Sequence, residues 1–528
     1  MRFVFCLKTV ITIYYYMISH RLIAILGLCV LSHSGRSQHW LGLSSSNYAG
    51  TNALYLNPAH AADSRFKTYV NLVGNDFFII NNYVSYDAPY SFLGLVTNTV
   101  SKKYRSERGL IVWKDSYYAE KLNGKLKHLH AGGDLRGPSV QYAFNQNRMA
   151  IALTTRGRYL ASLTNVTEPL ARLMRYGTDL KELQKMPFAG QQATLSANGF
   201  IELGATFGMV LADNQEDFWK IGITVKRLVG LYNLHAQVRN ADYSVLVETL
   251  NPEREFIFTQ QLQATYGYTE EGAYAQFKPT PQWLFGKQSA GSGWGLDVGV
   301  VYEYRPDAYK FSRGGRQADP NQNKYKFRLS AAITDLGAIN YRNLNYVREF
   351  DVDRGSNSPV TFSYLFFNNV GLLNAAGAIN KTLNVQATDN ARPFTVGLPT
   401  SANVSLDYQH KKNWYVNALW VQGVGGGKAF DIKPQSVLAV TPRYETRWIE
   451  VATPLALLDN YSKLSIGLAA RLGPVVIGTD HLGGVINLGN PRGLDFYFAL
   501  YAPFFHRKPQ SPNKCWAQPY EKPAKRRR

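Results

Sequence analysis

Residues Asn198–Leu228, NGFIELGATFGMVLADNQEDFWKIGITVKRL, decide the fold. Every second residue from Ile201 is apolar (Ile201, Leu203, Ala205, Phe207, Met209, Leu211), while the alternate positions hold Glu202, Gly204, Thr206 and Gly208. A period of two puts successive side chains on opposite faces of a strand. After Ala212-Asp213-Asn214-Gln215 the alternation resumes, with Trp219, Ile221, Ile223 and Val225 against Lys220, Gly222, Thr224 and Lys226. Two such runs across a polar turn predict an antiparallel hairpin. Its second face, made of glycines, threonines and charges, is a poor surface for packing another sheet. It suits a barrel turned inside out, with the apolar face toward lipid and the small, charged face toward a wet lumen.

The pattern recurs. Trp294, Leu296, Val298, Val300, Tyr302 and Tyr304 oppose Gly295, Asp297, Gly299, Val301 and Glu303. Such a strand spans roughly 33 Å along its axis at about 3.3 Å per residue, enough when tilted for an apolar band about 25 Å tall. Acids on the lipid side would be costly, so Asp297 and Glu303 belong inside. Phe327, Leu329, Ala331 and Ile333 likewise oppose Lys326, Arg328, Ser330 and Thr334. A third hairpin sets Val140, Tyr142 and Phe144 against Met149, Ile151 and Leu153, and its inner face carries Arg156 and Arg158. These arginines are candidates for an anion-preferring constriction, for pairing with Glu202, or for a structural ion-pair network filling the barrel. The candidate lumen-lining set is therefore Arg156, Arg158, Glu202, Lys220, Lys226, Asp297, Glu303, Lys326 and Arg328.

Composition alone leaves the class open, since 45% hydrophobic residues and a mean hydropathy of −0.23 fit a soluble protein equally well. The 34 tyrosines fit interfacial girdles or a large soluble β protein. Targeting favours the membrane. Residues 1–38 hold four basic residues and no acid, and the apolar run Leu22–Leu31 is followed by small and polar residues. That is the form of a cleaved signal peptide, with Met17 as an alternative start, and the run is too short to span as a helix. Leu28 is too bulky for lipoprotein cleavage before Cys29. With the leader gone only Cys515 remains, which excludes a disulfide-stapled domain.

The net charge of +21 is spread through strands and loops, apart from the basic tail 506–528 that ends Lys525-Arg526-Arg527-Arg528. No module focuses it for nucleic acid. Outer-membrane lipid and lipopolysaccharide are better partners for the charge, and the aromatic closing strand Leu494–Phe505 is the kind that barrel-assembly machinery recognises. The tail is expected to be disordered in the periplasm.

Elsewhere strands are expected at Phe66–Leu72 and Phe77–Tyr86. A short amphipathic helix within Thr164–Gly177, capped by Asn165 or Thr167, should lie over or within the barrel mouth. Ser101–Arg136 and Asn345–Arg392 lack alternation and are expected to be outer loops. In the first, His128-Leu129-His130 has a spacing that metals sometimes use, but no further His, Cys or carboxylate pattern surrounds it, so a solvated loop is expected rather than a metal site. No cofactor is expected, and no Ser/His/acid set falls on neighbouring strand faces, so no enzyme is expected either.

The segment Trp40–Asp63, with Ala49-Gly50 and then Tyr55-Leu56-Asn57-Pro58-Ala59, has no strand alternation. It resembles the N-terminal segment of FadL-type long-chain fatty-acid transporters and of the barrel subunit of the type IX secretion system. In the FadL-type family this segment is a hatch inside the barrel, which implies a plug containing Asn57, Pro58 and Ala59; an ordinary periplasmic lead-in is the alternative. The fuller string, with Arg136-Gly137-Pro138-Ser139, Trp219–Gly230, Gly293–Pro306, Thr334-Asp335-Leu336-Gly337 and Pro442-Arg443-Tyr444-Glu445, resembles a Bacteroidota outer-membrane family, a domain of unknown function.

The expectation is an all-β transmembrane antiparallel barrel of about 14 strands (12–18) in the bacterial outer membrane. Its parts are a signal peptide (1–38), a plug-like segment (39–63), the barrel (64–505) and the tail (506–528). Expected functions are passive or gated uptake of a small, hydrophobic molecule, or a non-catalytic partner in secretion or surface assembly.

Overall fold

Alternation carries through the wall with charged residues turned inward. In the hairpin that opened the sequence analysis, Glu202, Thr206, Lys220, Thr224 and Lys226 are buried, while Leu211, Trp219, Ile223 and Val225 are exposed. Trp294 is 59% exposed and Asp297, three residues on, 1%. A soluble β protein would reverse this. The computed structural model describes residues 40–507 except 185, 215, 248–254, 286–287, 309–318, 356, 364–374, 384–391, 426 and 429. The leader 1–38 and the tail from 508 onward lie outside the described residues.

The wall is a closed antiparallel barrel of fourteen strands. These are β1 (Phe66–Asn81), β2 (Lys127–Arg136 and Ser139–Phe144), β3 (Met149–Val166), β4 (Pro187–Asn214), β5 (Asp217–Val247), β6 (Gly291–Tyr304) and β7 (Phe327–Tyr341). They continue with β8 (Phe394–Gly397 and Ser401–Lys411), β9 (Trp414–Gly423), β10 (Val437–Glu445), β11 (Ile449–Ala452 and Leu455–Leu458), β12 (Lys463–Ile466 and Leu468–Leu472), β13 (Val475–Thr479) and β14 (Gly493–Phe505). Breaks in β2, β8 and β11 fall at Pro138, Pro399 and Pro454, which have no backbone N–H for the ladder. Pairing of β14 with β1, Phe496 opposite Phe77 and Phe505 opposite Phe66, closes the ring and leaves no edge.

Phe66 and Phe505 meet at one end, here called proximal. Proximal connections are short, as at Asn145–Arg148 and Gly473-Pro474, apart from residues 305–326, and the long connections are distal. This asymmetry is typical of membrane barrels. β5, with 31 residues, outruns any bilayer; its distal half pairs with Glu255–Thr269, which pairs in turn with Val347–Arg354 and Val360–Ser363. The expected loop 345–392 thus contains two strands and the helix Ala375–Leu383. The expected loop 101–136 ends in the first half of β2. Its alternation is broken at the adjacent glycines Gly132 and Gly133, both buried, the first with φ of 150°. Phe66–Asn81 is one strand rather than two. The helix Glu168–Tyr176, with Thr167 as N-cap, lies over the distal rim, where Glu168 pairs with Lys127 and Arg172 with Glu120.

Candidate functional site: the filled lumen

Residues 40–63 carry mostly small or polar side chains with no period of two, so they cannot join the wall; they run through its interior. Two single turns of 3₁₀ helix, Gly50–Ala53 and Pro58–Ala61, organise the segment. Asn57 caps the second: its Oδ1 accepts from the Ala59 amide at 2.9 Å, and Pro58 occupies the first turn, where a missing N–H costs nothing. The Asn57 amide nitrogen points the other way and donates to the Val300 and Ala331 carbonyls of β6 and β7, at 3.1 Å each.

Beneath this turn the wall is cut away. Gly208 pairs with Gly222 and Gly222 with Gly299, making a row of three glycines across β4, β5 and β6. A methyl group at Gly222 would overlap the Pro58–Ala59 peptide, and one at Gly299 would overlap the Asn57 carboxamide. At Gly208 it would stand 2.9 Å from the Ala61 Cβ. The small residues that predict a wet lumen are instead a seat for protein. Asn57, Pro58 and Ala59 are all buried.

Distal to this row the charges satisfy one another. Arg156 donates through Nε to Glu202 at 2.7 Å and through Nη1 to Asp134 at 3.2 Å. Arg158 Nη1 reaches Glu202 at 3.0 Å and Asp335 at 2.8 Å. Lys226 sits between Asp297, at 2.8 Å, and Asp335, at 2.5 Å. The Tyr55 ring of the plug lies under the Arg156 and Arg136 guanidiniums, 4.3 and 4.7 Å from its centroid. A cavity of about 10 Å³ remains beside Tyr55, Arg156, Glu202 and Asp297, room for one water. Proximally, Lys220 pairs with Glu303 at 3.2 Å, and Arg305 bridges Glu303 to Asp63.

Among the sequence candidates, Arg156, Arg158, Glu202, Lys226 and Asp297 come together in one lattice and Lys220 with Glu303 in another. Arg328 donates to the Ser45 carbonyl at 2.7 Å and pairs with Asp407. Lys326 is not among them: it precedes β7 at the proximal rim, donating to the Gln409 carbonyl with its ammonium over the Tyr408 ring. Arg156 and Arg158 are thus both ion-paired, the arrangement of a structural network rather than of free anion-binding groups among the described residues. Asp335 escaped the sequence pattern because a bulge there turns both Thr334 and Asp335 inward; its φ of 59° and the Gly337 φ of 150° mark the irregularity.

Across the lumen the plug itself satisfies the wall. Ser46 donates to Glu450 at 2.7 Å, the Asn47 side chain to Glu445 at 2.8 Å, and the Leu41 amide to Asp480 at 3.1 Å. Trp40 stacks on Tyr497, with ring centroids 5.2 Å apart, and Arg136 covers its other side. Burial, with Arg328 and Lys220 nearby, holds the His60 imidazole well below its usual range, so it is neutral at ordinary pH.

A family model matches residues 58–480. The chain belongs to that family, DUF5723, a family of unknown function. The matched span covers nearly the whole wall but only the end of the plug. No curated protein matches the chain. Among solved structures, the Pseudomonas putida toluene transporter TodX is similar at 9% identity, over 89% of this chain and 97% of that one, with a TM-score of 0.36. A Pseudomonas aeruginosa FadL homologue is similar at 10% identity over 89% and 98%, with a TM-score of 0.32. The Ralstonia pickettii toluene transporter TbuX matches at 9% over 90% and 100%, with a TM-score of 0.35. The fold stands on the strand pairing, independently of these likenesses.

Proposed function

We propose that this protein is a gated channel of the bacterial outer membrane, closed in the conformation described by its own residues 40–63. The supporting observation is the seat: Asn57-Pro58-Ala59 lies on the Gly208, Gly222 and Gly299 row, where no side chain of the wall could coexist with it. A segment held by shape and hydrogen bonds rather than by wall pairing can leave without breaking the barrel. Small molecules, hydrophobic ones included as the FadL-like start implies, would pass once it shifts. Polar head groups of lipid and lipopolysaccharide would meet the rims, and barrel-assembly machinery would insert the chain through β14.

A second function is favoured by the completeness of the filling: a permanently plugged barrel serving as a non-catalytic partner in secretion or surface assembly, as in the type IX system of Bacteroidota. Liposome swelling separates the two. For a gated channel, vesicles with the intact chain swell slowly and those with a chain lacking residues 40–63 swell fast. If both stay tight and another protein co-purifies, the partner function takes its place.

A further inference from the structure

We propose that His128, His130 and Asp459 form a binding site for a first-row transition dication, represented by Zn²⁺, at the distal mouth of the barrel. Strand β2 is irregular at His128, where its register with β3 shifts, and the stacked rings put His128 and His130 on one of its faces. Asp459 comes from the turn between β11 and β12, far away in sequence, which is why the sequence shows no third ligand. His128 Nε2 lies 2.8 Å from Asp459 Oδ2, and the two imidazoles stack with centroids 5.1 Å apart. One donor atom from each of the three residues falls within 4.8 Å of the others. Bonds of about 2.0–2.2 Å in a tetrahedral site place donors about 3.4 Å apart, so closure needs a shift of roughly 1.4 Å at most. The His128 side chain, a quarter exposed, is free to make it.

The turn that delivers Asp459 is unusual. Asp459, Asn460 and Tyr461 are consecutive non-glycine residues with φ of 54°, 53° and 66°, a left-handed run that costs energy at each step. It is fastened from behind: the Tyr461 hydroxyl donates to Gln422 and accepts from the Trp420 indole, both at 2.8 Å, and Asn460 Oδ1 accepts from the Ser436 amide. The carboxylate is buried, with 2% of its side chain exposed. The neighbouring Ser462 hydroxyl is spent on the Asp459 carbonyl, leaving Oδ1 without a hydrogen-bond partner among the described residues. Lys463, the nearby cation, gives its ammonium to the Asn81 carbonyl instead. A buried carboxylate with one unmet oxygen, beside two imidazoles, is a donor set that a dication completes. Two nitrogens and one oxygen suit Zn²⁺, Co²⁺, Ni²⁺ or Cu²⁺ and not Ca²⁺ or Mg²⁺, which prefer oxygen alone. Three protein ligands leave a fourth position open to water or to an incoming ligand. The bound ion would tie β2 to the β11–β12 turn across the distal ends of β13, β14 and β1.

The test uses the detergent-solubilised full chain carrying Cys515→Ser and no histidine tag, titrated with Co²⁺ and then Zn²⁺. One Co²⁺ per chain with the visible absorption of a tetrahedral nitrogen–oxygen site, displaced by Zn²⁺, is expected. His128→Asn and Asp459→Asn should each weaken binding about tenfold or more, with unchanged heat-modifiability of the barrel. Equal binding by both variants, or no binding by the parent chain at submillimolar metal, overturns the site. If the variants fail to assemble, the zinc-edge absorption spectrum of the parent chain decides: two imidazole nitrogens support the site, and all-oxygen or sulfur coordination overturns it.

Discussion

The two sides of the lumen hold the plug in different ways. Along β3 to β7 the wall satisfies its own charges, from Arg156 and Glu202 to Lys226 and Asp335, and presents the plug with a glycine hollow. From β10 to the end of β13 it presents carboxylates, Glu445, Glu450 and Asp480, that take hydrogen bonds from Asn47, Ser46 and Leu41. The lattice from Arg156 to Asp335 would survive loss of the plug, although Arg305 and Arg328 would lose Asp63 and the Ser45 carbonyl; on the second side the carboxylates themselves would lose partners. Polar bonding holds the segment on both sides, and the first side adds a glycine hollow that fits its shape.

The largest effect is expected within the self-satisfied lattice. Asp335→Ala leaves the buried lattice one carboxylate short, with Lys226 held by Asp297 alone and Arg158 by Glu202 and Asp134, and should cost about 3–5 kcal/mol, measured by urea unfolding in lipid. The loss should be the same in a chain lacking residues 40–63, because the partners of Asp335 belong to the wall; a loss confined to the full chain would break the comparison. Next comes Gly222→Leu. It overpacks the seat by about 1–3 kcal/mol and expels Pro58 and Ala59, so conductance in planar bilayers should approach that of the shortened chain. In the shortened chain the same substitution should be nearly silent.

Ser46→Ala is smaller, about 1 kcal/mol for the lost bond to Glu450, which keeps its ion pair with Arg471, with a modest rise in conductance. The last prediction concerns pH. Seated, half-buried His60 resists protonation because it is desolvated in the lumen with Arg328 and Lys220 close by and Glu303 opposing them; released, it titrates near the ordinary 6.5. The released state then binds more protons, so the seated state weakens as pH falls below about 6.5. Conductance should rise on acidification, and His60→Gln should flatten that rise.

Much of the wall was legible. β3, β6, β14 and the proximal halves of β4, β5 and β7 alternate cleanly, and the acids of these stretches that lie away from the rims face inward as the cost of charge in lipid requires. What escaped detection did so for identifiable reasons. Gly132 and Gly133 break the alternation of β2, and the bulge at Asp335 hides an inward acid inside an apolar strand. Glycines at 208, 222 and 299 are as consistent with water as with a packed segment until the segment is seen on them. Asp459 has no local signal linking it to His128. Sequence period reports which way a side chain faces, and not what fills the space it faces.

The arrangement as a whole, greasy outside and occupied inside, is tested most directly by quenching with brominated lipid in single-tryptophan chains. Trp294 is 59% exposed on the outer face and Trp40 is fully buried against Tyr497 and Arg136. Strong quenching of Trp294 with none of Trp40 is expected. A protected Trp294, or a Trp40 quenched as strongly as Trp294, would contradict it.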